Sequence, residues 1–126
     1  MTRRRDFLIG GGLVLGLTAL GGLPALAHHG WRWTEDGNFE LTGLIKSVRL
    51  GNPHGVLTVD VDGEDWTVEV GQPWRNERAG LTDDMLAVGT EVTISGHRSA
   101  DAADRRVKAE RVIIGGKTYD LYPNRD

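Results

Sequence analysis

Residues 56–70, VLTVDVDGEDWTVEV, decide the fold of this chain. Apolar side chains take every second position on both sides of the Asp62-Gly63 step, and this pattern is the strongest short-range signal for a β-hairpin. Two strands joined by a tight turn are therefore predicted, and the alternation places Trp66 in the core. The alternating apolar residues are Leu57, Val59, Val61, Trp66, Val68 and Val70.

Further strands are predicted on both sides of this hairpin. Upstream, residues 39–50 form one long strand, whose alternation changes face near Gly43 as a β-bulge or a barrel bend requires. Downstream, residues 91–95 alternate again, and residues 107–114 form a fifth strand with a second change of face. Gly115-Gly116 then turns the chain into a short final strand.

A short helix is predicted between the third and fourth strands, because Pro73 suits the first helical turn and Gly80 suits the end of a helix. Three strands, a helix and two further strands follow one another in the order of the OB-fold. We therefore predict an all-β, mainly antiparallel fold, a small five- to six-stranded OB-like barrel over residues 39–126 that follows an N-terminal arm at residues 28–38. A plain antiparallel sandwich is the alternative. Trp74 is expected to plug the barrel from the helix.

The first 27 residues have the features of an export signal. Arg4-Arg5-x-Phe7-Leu8 resembles a twin-arginine signal, and an uncharged run follows as far as Ala27. The run ends in Ala25-Leu26-Ala27, a small-x-small site for signal peptidase. We therefore expect residues 1–27 to be removed, a mature periplasmic protein to begin at His28, and no stable membrane insertion to follow. An uncleaved anchor is the alternative, since about 20 apolar residues can span a bilayer.

Composition excludes several classes of protein. The 126 residues include no cysteine, which excludes disulfides, cysteine zinc sites, iron–sulfur clusters and a thiol nucleophile. Of the 15 Lys and Arg residues three precede residue 28, and of the 18 Asp and Glu residues one does, so the mature chain has a net charge of −5. An acidic domain is a poor candidate for binding nucleic acid or an anionic membrane. The sequence contains no serine in a nucleophile motif and no distinct carboxylate pair, so we expect no enzymatic activity.

The histidines suggest a metal site. Cleavage before His28 gives that residue a free α-amine as well as its ring Nδ1, and a second imidazole would complete a three-nitrogen histidine brace. His54, in the Asn52-Pro53-His54-Gly55 turn between the first two strands, is the candidate for that imidazole. His29 is an alternative or additional ligand, through the amine, its own amide and its ring. Nitrogen donors without sulfur favour one copper(II) ion. Trp31 and Trp33 flank the arm and are expected to fix it in place or to shield the metal.

The competing interpretation is a frayed terminus with two exposed imidazoles. His54 then does no more than form hydrogen bonds within its turn, and the barrel is a metal-free module that binds a protein or a small ligand of unknown identity. An oxidative copper enzyme is the third and least favoured alternative. His97, near the end of the fourth strand, is expected to lie on the exposed surface of the sheet.

Several short motifs together resemble a family of small exported bacterial proteins, domain of unknown function 6152. The resemblance implies an extracytoplasmic β-barrel with histidines where His28, His29 and His54 stand, and it implies no activity. Many members of that family carry an extended apolar segment after the histidine pair, where this chain has Trp31-Arg32-Trp33. The motifs are Ala27-His28-His29-Gly30, Leu41-Thr42-Gly43, Asn52-Pro53-His54, Gly71-x-Pro73, Gly80 and Val92-x-Ile94-x-Gly96.

Overall fold

A computed structural model describes residues 30–125 of the chain. Within that range six strands and one short α-helix form a small barrel, in which five strands close on themselves and the sixth extends the sheet. The elements are β1 (Phe39–Arg49), β2 (Val56–Val61), β3 (Glu64–Glu69), α1 (Pro73–Arg78), β4 (Glu91–Arg98), β5 (Arg106–Ile114) and β6 (Lys117–Asp120), with a 3-10 turn at Asp83–Met85.

Neighbouring strands in the sheet order β3-β2-β1-β4-β5-β6 are all antiparallel. The exception is the additional pair that closes the barrel. There β3 and β5 pair in parallel, with Thr67 opposite Arg106 and Glu69 opposite Lys108. A sandwich has no such closing pair, so the prediction of an OB-like barrel is confirmed and the sandwich alternative is excluded.

The hairpin at residues 56–70 forms as its alternation predicts. Val56 pairs with Glu69 and Val61 with Glu64, and both Asp62 and Gly63 have positive φ angles of 52° and 88°, as a two-residue type I′ turn requires. Its inward-facing side chains are buried except Val61, which is partly buried, and Trp66 stacks on Phe39 with 5.0 Å between the ring centroids. The core comprises Leu41, Ile45, Leu57, Val59, Trp66, Val68, Val70, Leu81, Leu86, Val92, Ile94, Val107, Ala109, Val112, Tyr119 and Leu121.

Both predicted changes of face are present as β-bulges. In β1 the register with β2 shifts between Ile45 and Ser47. In β5 the partner of Ser95 is Arg111, whereas the partner of Gly96 is Ala109, so that Glu110 is the extra residue. The strands approach closely here: a Cβ atom on Gly96 would lie 2.0 Å from the Lys108 carbonyl oxygen. Only glycine fits that position.

The helix α1 begins at Pro73 as predicted, and the chain leaves it through Gly80, whose φ is +88°. Buried Asn76 joins the helix to the end of the hairpin, because its Oδ1 accepts from Gly71 N–H at 2.9 Å and its Nδ2 donates to Gly71 O at 3.0 Å. The prediction for Trp74 is wrong: its side chain is 50% exposed. Asn76 is the buried residue of this short helix, so Trp74 projects from another side.

The described part of the arm is not simply extended. Residues 30–33 form a turn, and Thr34 makes an isolated antiparallel bridge with Ser99. The carbonyl of Trp33 accepts from Ala100 N–H at 2.9 Å, which ties this segment to the chain beyond β4. Among residues 30–125 we find no helix of the length and hydropathy needed to cross a membrane.

Candidate functional site

His54 lies in the loop between β1 and β2, whose Asn52–Pro53 peptide bond is cis. Backbone hydrogen bonds between Gly55 and the residues after β3 fasten this loop to the neighbouring strand at 3.0 and 3.1 Å. The Nε2 atom of His54 lies 3.2 Å from Oε1 of Glu69, and the imidazole is 28% exposed. The loop therefore places a partly accessible imidazole beside a carboxylate of β3.

Glu69, the last residue of β3, joins this imidazole to two cations. Its side chain is 10% exposed, with Oε2 at 3.4 Å from Nη1 of Arg106 and Oε1 at 3.9 Å from Nζ of Lys108. One buried carboxylate is thus shared by a loop imidazole and by two cationic groups of β5.

The sheet register aligns Glu69, Lys108 and His97 in one row across three strands. Lys108 of β5 stands opposite Glu69 on one side and opposite His97 of β4 on the other. The adjacent residues Val68 and Val107 are fully buried in the core, so the row projects from the outer face of the barrel. Its three polar side chains are nevertheless buried, which shows that this part of the outer face is covered.

The prediction that His97 lies on the exposed sheet surface is wrong. His97 is 4% exposed. Its Nδ1 donates to the carbonyl oxygen of Glu35 at 3.0 Å, and its Nε2 lies 3.2 Å from Oε2 of Glu110. The physical reason is the arm, because Glu35 N–H donates to Arg98 O at 2.9 Å and so holds the arm against the end of β4.

Glu110 is the second buried carboxylate of this face and has no exposed side-chain surface. Its Oε2 lies 2.9 Å from Nε of Arg125, and its Oε1 lies 3.4 Å from Nη1 of Arg111. Because Ala109 and Val112 both face the core, the bulge leaves Glu110 and Arg111 together on the outside.

Lys108 is a buried cation among other cations. Burial lowers the pKa of its ammonium group below the ordinary 10.5, since desolvation disfavours the charged form. The Glu69 carboxylate opposes this shift, whereas the guanidinium groups of Arg75, Arg106 and Arg125 reinforce it. Within the described part of the chain, one carboxylate and three guanidinium groups thus act on the charge of Lys108.

Aromatic rings and cations alternate along one side of α1 and the C-terminal segment. We call Arg78, Trp74, Arg75 and Tyr122 the cation–aromatic strip. The guanidinium of Arg75 lies 4.5 Å from the ring centroid of Trp74 and 4.1 Å from that of Tyr122, and Arg78 lies 5.1 Å from Trp74. Elsewhere, Arg106 stacks on Trp33 at 3.7 Å.

Of the three predicted metal ligands, the structure describes only His54. His28 and His29 lie outside the described residues, so the histidine brace stays a prediction. His54 and His97 belong to two different carboxylate pairs, with Glu69 and with Glu110. Residues 30–125 contain no group of three or more His, Asp or Glu side chains placed to hold a metal ion.

Sequence reasoning did not find Glu69, Lys108 or Glu110. Each occupies a polar position of an amphipathic strand, and alternation alone assigns such a position to solvent. The one local signal was the change of face within β5, which is the bulge that carries Glu110.

Comparison with known proteins gives a family but no activity. The model of a family described as "Family of unknown function (DUF6152)" matches residues 17–107. No curated protein matches the chain.

Solved structures share the fold at low identity. The ZRD-deleted mutant of TiaS in complex with agmatine is 14% identical with a TM-score of 0.50, over 67% of this chain and 26% of that one. The S. pombe Stn1–Ten1 complex is 17% identical with a TM-score of 0.50, over 61% of this chain and 57% of that one. This chain thus spans about a quarter of the first and little more than half of the second, and the likeness supports the OB-like barrel alone.

Proposed function

Since the chain belongs to the family of unknown function DUF6152, whose description names no activity, we propose a function from its own side chains. It is an exported periplasmic protein that binds one copper(II) ion and acts in copper handling or delivery. The ligands are the α-amine and ring of His28 and the ring of His54, with His29 as alternative or additional ligand. Nitrogen donors of this kind favour copper(II) over nickel and zinc.

The contact between His54 and Glu69 carries the proposal. A metal-binding histidine usually donates its other ring N–H to a carboxylate or carbonyl, which fixes its tautomer and orientation. Nε2 of His54 lies 3.2 Å from Oε1 of Glu69, within ion-pair distance, so the ring directs Nε2 at the carboxylate and leaves Nδ1 for a metal. The partial exposure of the ring leaves it open to an incoming ligand.

The contacts that hold the arm on the barrel support the part of the proposal that concerns the His28 ligands. Trp33 stacks on Arg106, and Arg106 contacts Glu69, which in turn contacts His54. A series of contacts through Arg106 and Glu69 therefore connects the arm to His54 in the β1–β2 loop. His28 lies five residue steps before Trp33, and five steps of extended chain reach no farther than about 17 Å, so the proposed ligand stays near this point of attachment.

Charge argues against a nucleic-acid partner. OB-folds commonly bind oligonucleotides on the face of their second and third strands. In this chain the β2–β3 hairpin carries Asp60, Asp62, Glu64 and Asp65, and such a cluster repels a phosphate backbone.

The test is a copper titration of the processed protein purified from periplasm, followed by electron paramagnetic resonance and an intact mass. We expect one copper(II) bound per chain that begins at His28. His54→Ala should weaken binding by at least about tenfold, and Glu69→Gln by about 10–100-fold, since a carboxylate that orients a metal-binding histidine commonly contributes that much. Thermal unfolding of each variant separates loss of metal from loss of fold.

Two comparisons identify the ligand set. A chain with one additional glycine before His28 keeps every side chain but moves the free amine away from the His28 ring, so we expect much weaker binding. If His29→Ala abolishes binding while His54→Ala does not, the ligands are those of the His29 chelate instead. Binding that is equal in all variants, or no tighter than that of a generic histidine peptide, would refute the copper proposal and leave a metal-free binding module.

A further inference from the structure

The cation–aromatic strip is a second feature of the surface that the copper proposal does not use. Trp74 is half exposed, although it is one of the largest apolar side chains in the protein. Its indole contacts the guanidinium groups of both Arg75 and Arg78, which lie 4.5 and 5.1 Å from the ring centroid. An exposed tryptophan flanked by two arginines has the composition of an interaction hot spot, in which Trp, Tyr and Arg are enriched.

The strip is held in a defined conformation. Arg75 lies between two rings, those of Trp74 and Tyr122, and its Nη1 donates to the carbonyl oxygen of Leu121 at 3.2 Å. An arginine already ordered in this way loses less side-chain entropy when it binds a partner than a free surface arginine does. The strip is therefore preorganised for binding.

The charges of the strip are not neutralised locally. Among the described residues, neither Arg75 nor Arg78 has a carboxylate within ion-pair distance. This contrasts with Arg105, Arg106, Arg111 and Arg125, each of which contacts an acidic side chain. Two uncompensated guanidinium groups stand side by side on a domain whose overall charge is negative, so they form a local site for an anionic ligand.

The contacts between the arginines and the Trp74 ring determine which part of the strip is available to an anionic ligand. Two guanidinium groups already contact the Trp74 ring and compete with a nucleobase for it, and base stacking is the main attraction of single-stranded nucleic acid for an aromatic surface. The in-plane N–H groups of a stacked guanidinium remain at its edge, where they match the two oxygens of a carboxylate. The acidic β2–β3 hairpin further opposes a long polyanion.

We propose that the cation–aromatic strip, Arg78, Trp74, Arg75 and Tyr122, is the docking site for an acidic segment of a partner protein. Two carboxylates of the segment pair with Arg75 and Arg78, and an apolar side chain between them packs on the exposed edge of Trp74. The site is separate from the proposed copper ligands and requires no metal.

The test is a fluorescence anisotropy titration of the full chain, in the presence of EDTA, with a labelled peptide of alternating Glu and Leu residues. A peptide with Gln in place of Glu is the control for charge. We expect saturable binding of the acidic peptide alone, with an affinity that falls as salt is added because screening weakens exposed ion pairs.

Two variants locate the site. Arg78→Glu reverses an exposed charge and Trp74→Ala removes an exposed ring, so neither should unfold the barrel, and each should weaken binding by about tenfold or more. Lys117→Glu, which makes the same charge change at an exposed position of β6, should leave the affinity unchanged. Circular dichroism verifies the fold of each chain.

The remaining outcomes would overturn the proposal. Absence of binding, or equal weakening by Lys117→Glu and Arg78→Glu, would show that the strip is not a docking site for acidic peptides. Tighter binding of oligothymidylate or of phosphatidylglycerol vesicles than of the peptide would assign the strip to another class of anion. Because EDTA is present throughout, none of these results depends on whether copper binds.

Discussion

The Nε2 atom of His97 lies 3.2 Å from Oε2 of Glu110, and this pair is buried on the outer face of a β-barrel. Glu110 occupies the extra position of the β5 bulge. The arm covers the other side of the His97 ring through the Glu35 carbonyl. A polar contact between adjacent strands thus links the arm to the barrel, and Arg125 links the C-terminal segment to the same carboxylate at 2.9 Å.

Glu110→Ala is expected to destabilise the fold strongly. The substitution leaves the His97 ring and the Arg125 guanidinium without their shared carboxylate, and breaking a buried ion pair by removal of one partner costs about 3–5 kcal/mol. Urea unfolding followed by far-UV circular dichroism measures the change. Glu64→Ala is the matched control, because Glu64 pairs with Arg105 at an exposed site and should cost less than about 1 kcal/mol. Equal losses in the two variants would contradict a structural role for the buried carboxylate.

The two tryptophans that sequence reasoning assigned to the core should now behave differently. Trp66→Ala is expected to cost about 3–5 kcal/mol, because the buried ring packs on Phe39 within the core. Trp74→Ala removes an exposed ring and its contacts with two arginines, and we expect a loss of about 1 kcal/mol or less. Urea unfolding of both variants makes the comparison, and a larger loss for Trp74→Ala than for Trp66→Ala would contradict a buried Trp66 and an exposed Trp74.

The barrel was predictable because its signals are local. Alternation and the Asp62-Gly63 step specify the hairpin, and Pro73 and Gly80 mark the ends of α1. The exposed position of Trp74 was not predictable, because a six-residue helix has too few turns for its sequence to show which side faces the core.

The buried polar row was not predictable, since its members come from three strands that meet only after closure. Glu69 and Lys108 are 39 positions apart in the chain and become neighbours through the parallel pairing of β3 with β5. His97 is buried by the arm, a contact that spans 62 residues. Alternation distinguishes the two faces of a strand, but it does not reveal whether a distant segment covers the outer one.

Gly96→Ala is expected to disrupt the pairing of β4 with β5. The added methyl group would lie 2.0 Å from the Lys108 carbonyl oxygen, which is backbone and cannot rotate away. Overpacking commonly costs about 1–3 kcal/mol, and we expect a loss at or above the upper end of that range. Gly37→Ala is the control, because its added methyl group meets no atom within 4 Å. Thermal unfolding of the two variants tests the contrast, and a wild-type melting temperature for Gly96→Ala would show that the strands are farther apart.

The titration of Lys108 is expected to increase the free energy of unfolding as pH rises in the alkaline range. Burial lowers the pKa of this lysine in the folded protein, whereas the unfolded chain keeps the ordinary value of 10.5. Between these two values the unfolded chain binds more protons than the folded one, so the free energy of unfolding increases with pH in that window. Lys108→Met removes this contribution. We therefore expect the stability difference, variant minus wild type, to be largest near neutral pH and to decrease as pH approaches 10.5.

Lys46→Met is the control for this pH dependence, since the two lysines are shifted in opposite directions. The hydrogen bond and the charge of Asp65 raise the pKa of exposed Lys46, so its contribution is constant below 10.5 and is lost only as pH rises through the higher folded value. Burial also raises the pKa of Tyr122, whose ring lies 6.0 Å from Nζ of Lys108, so Tyr122→Phe is introduced into all the chains compared to remove that titration. Urea unfolding of the three chains between neutral pH and pH 10.5 gives the measurement. A Lys108→Met difference that stays flat over this interval, as the Lys46→Met difference should, would show that Lys108 titrates as an ordinary surface lysine.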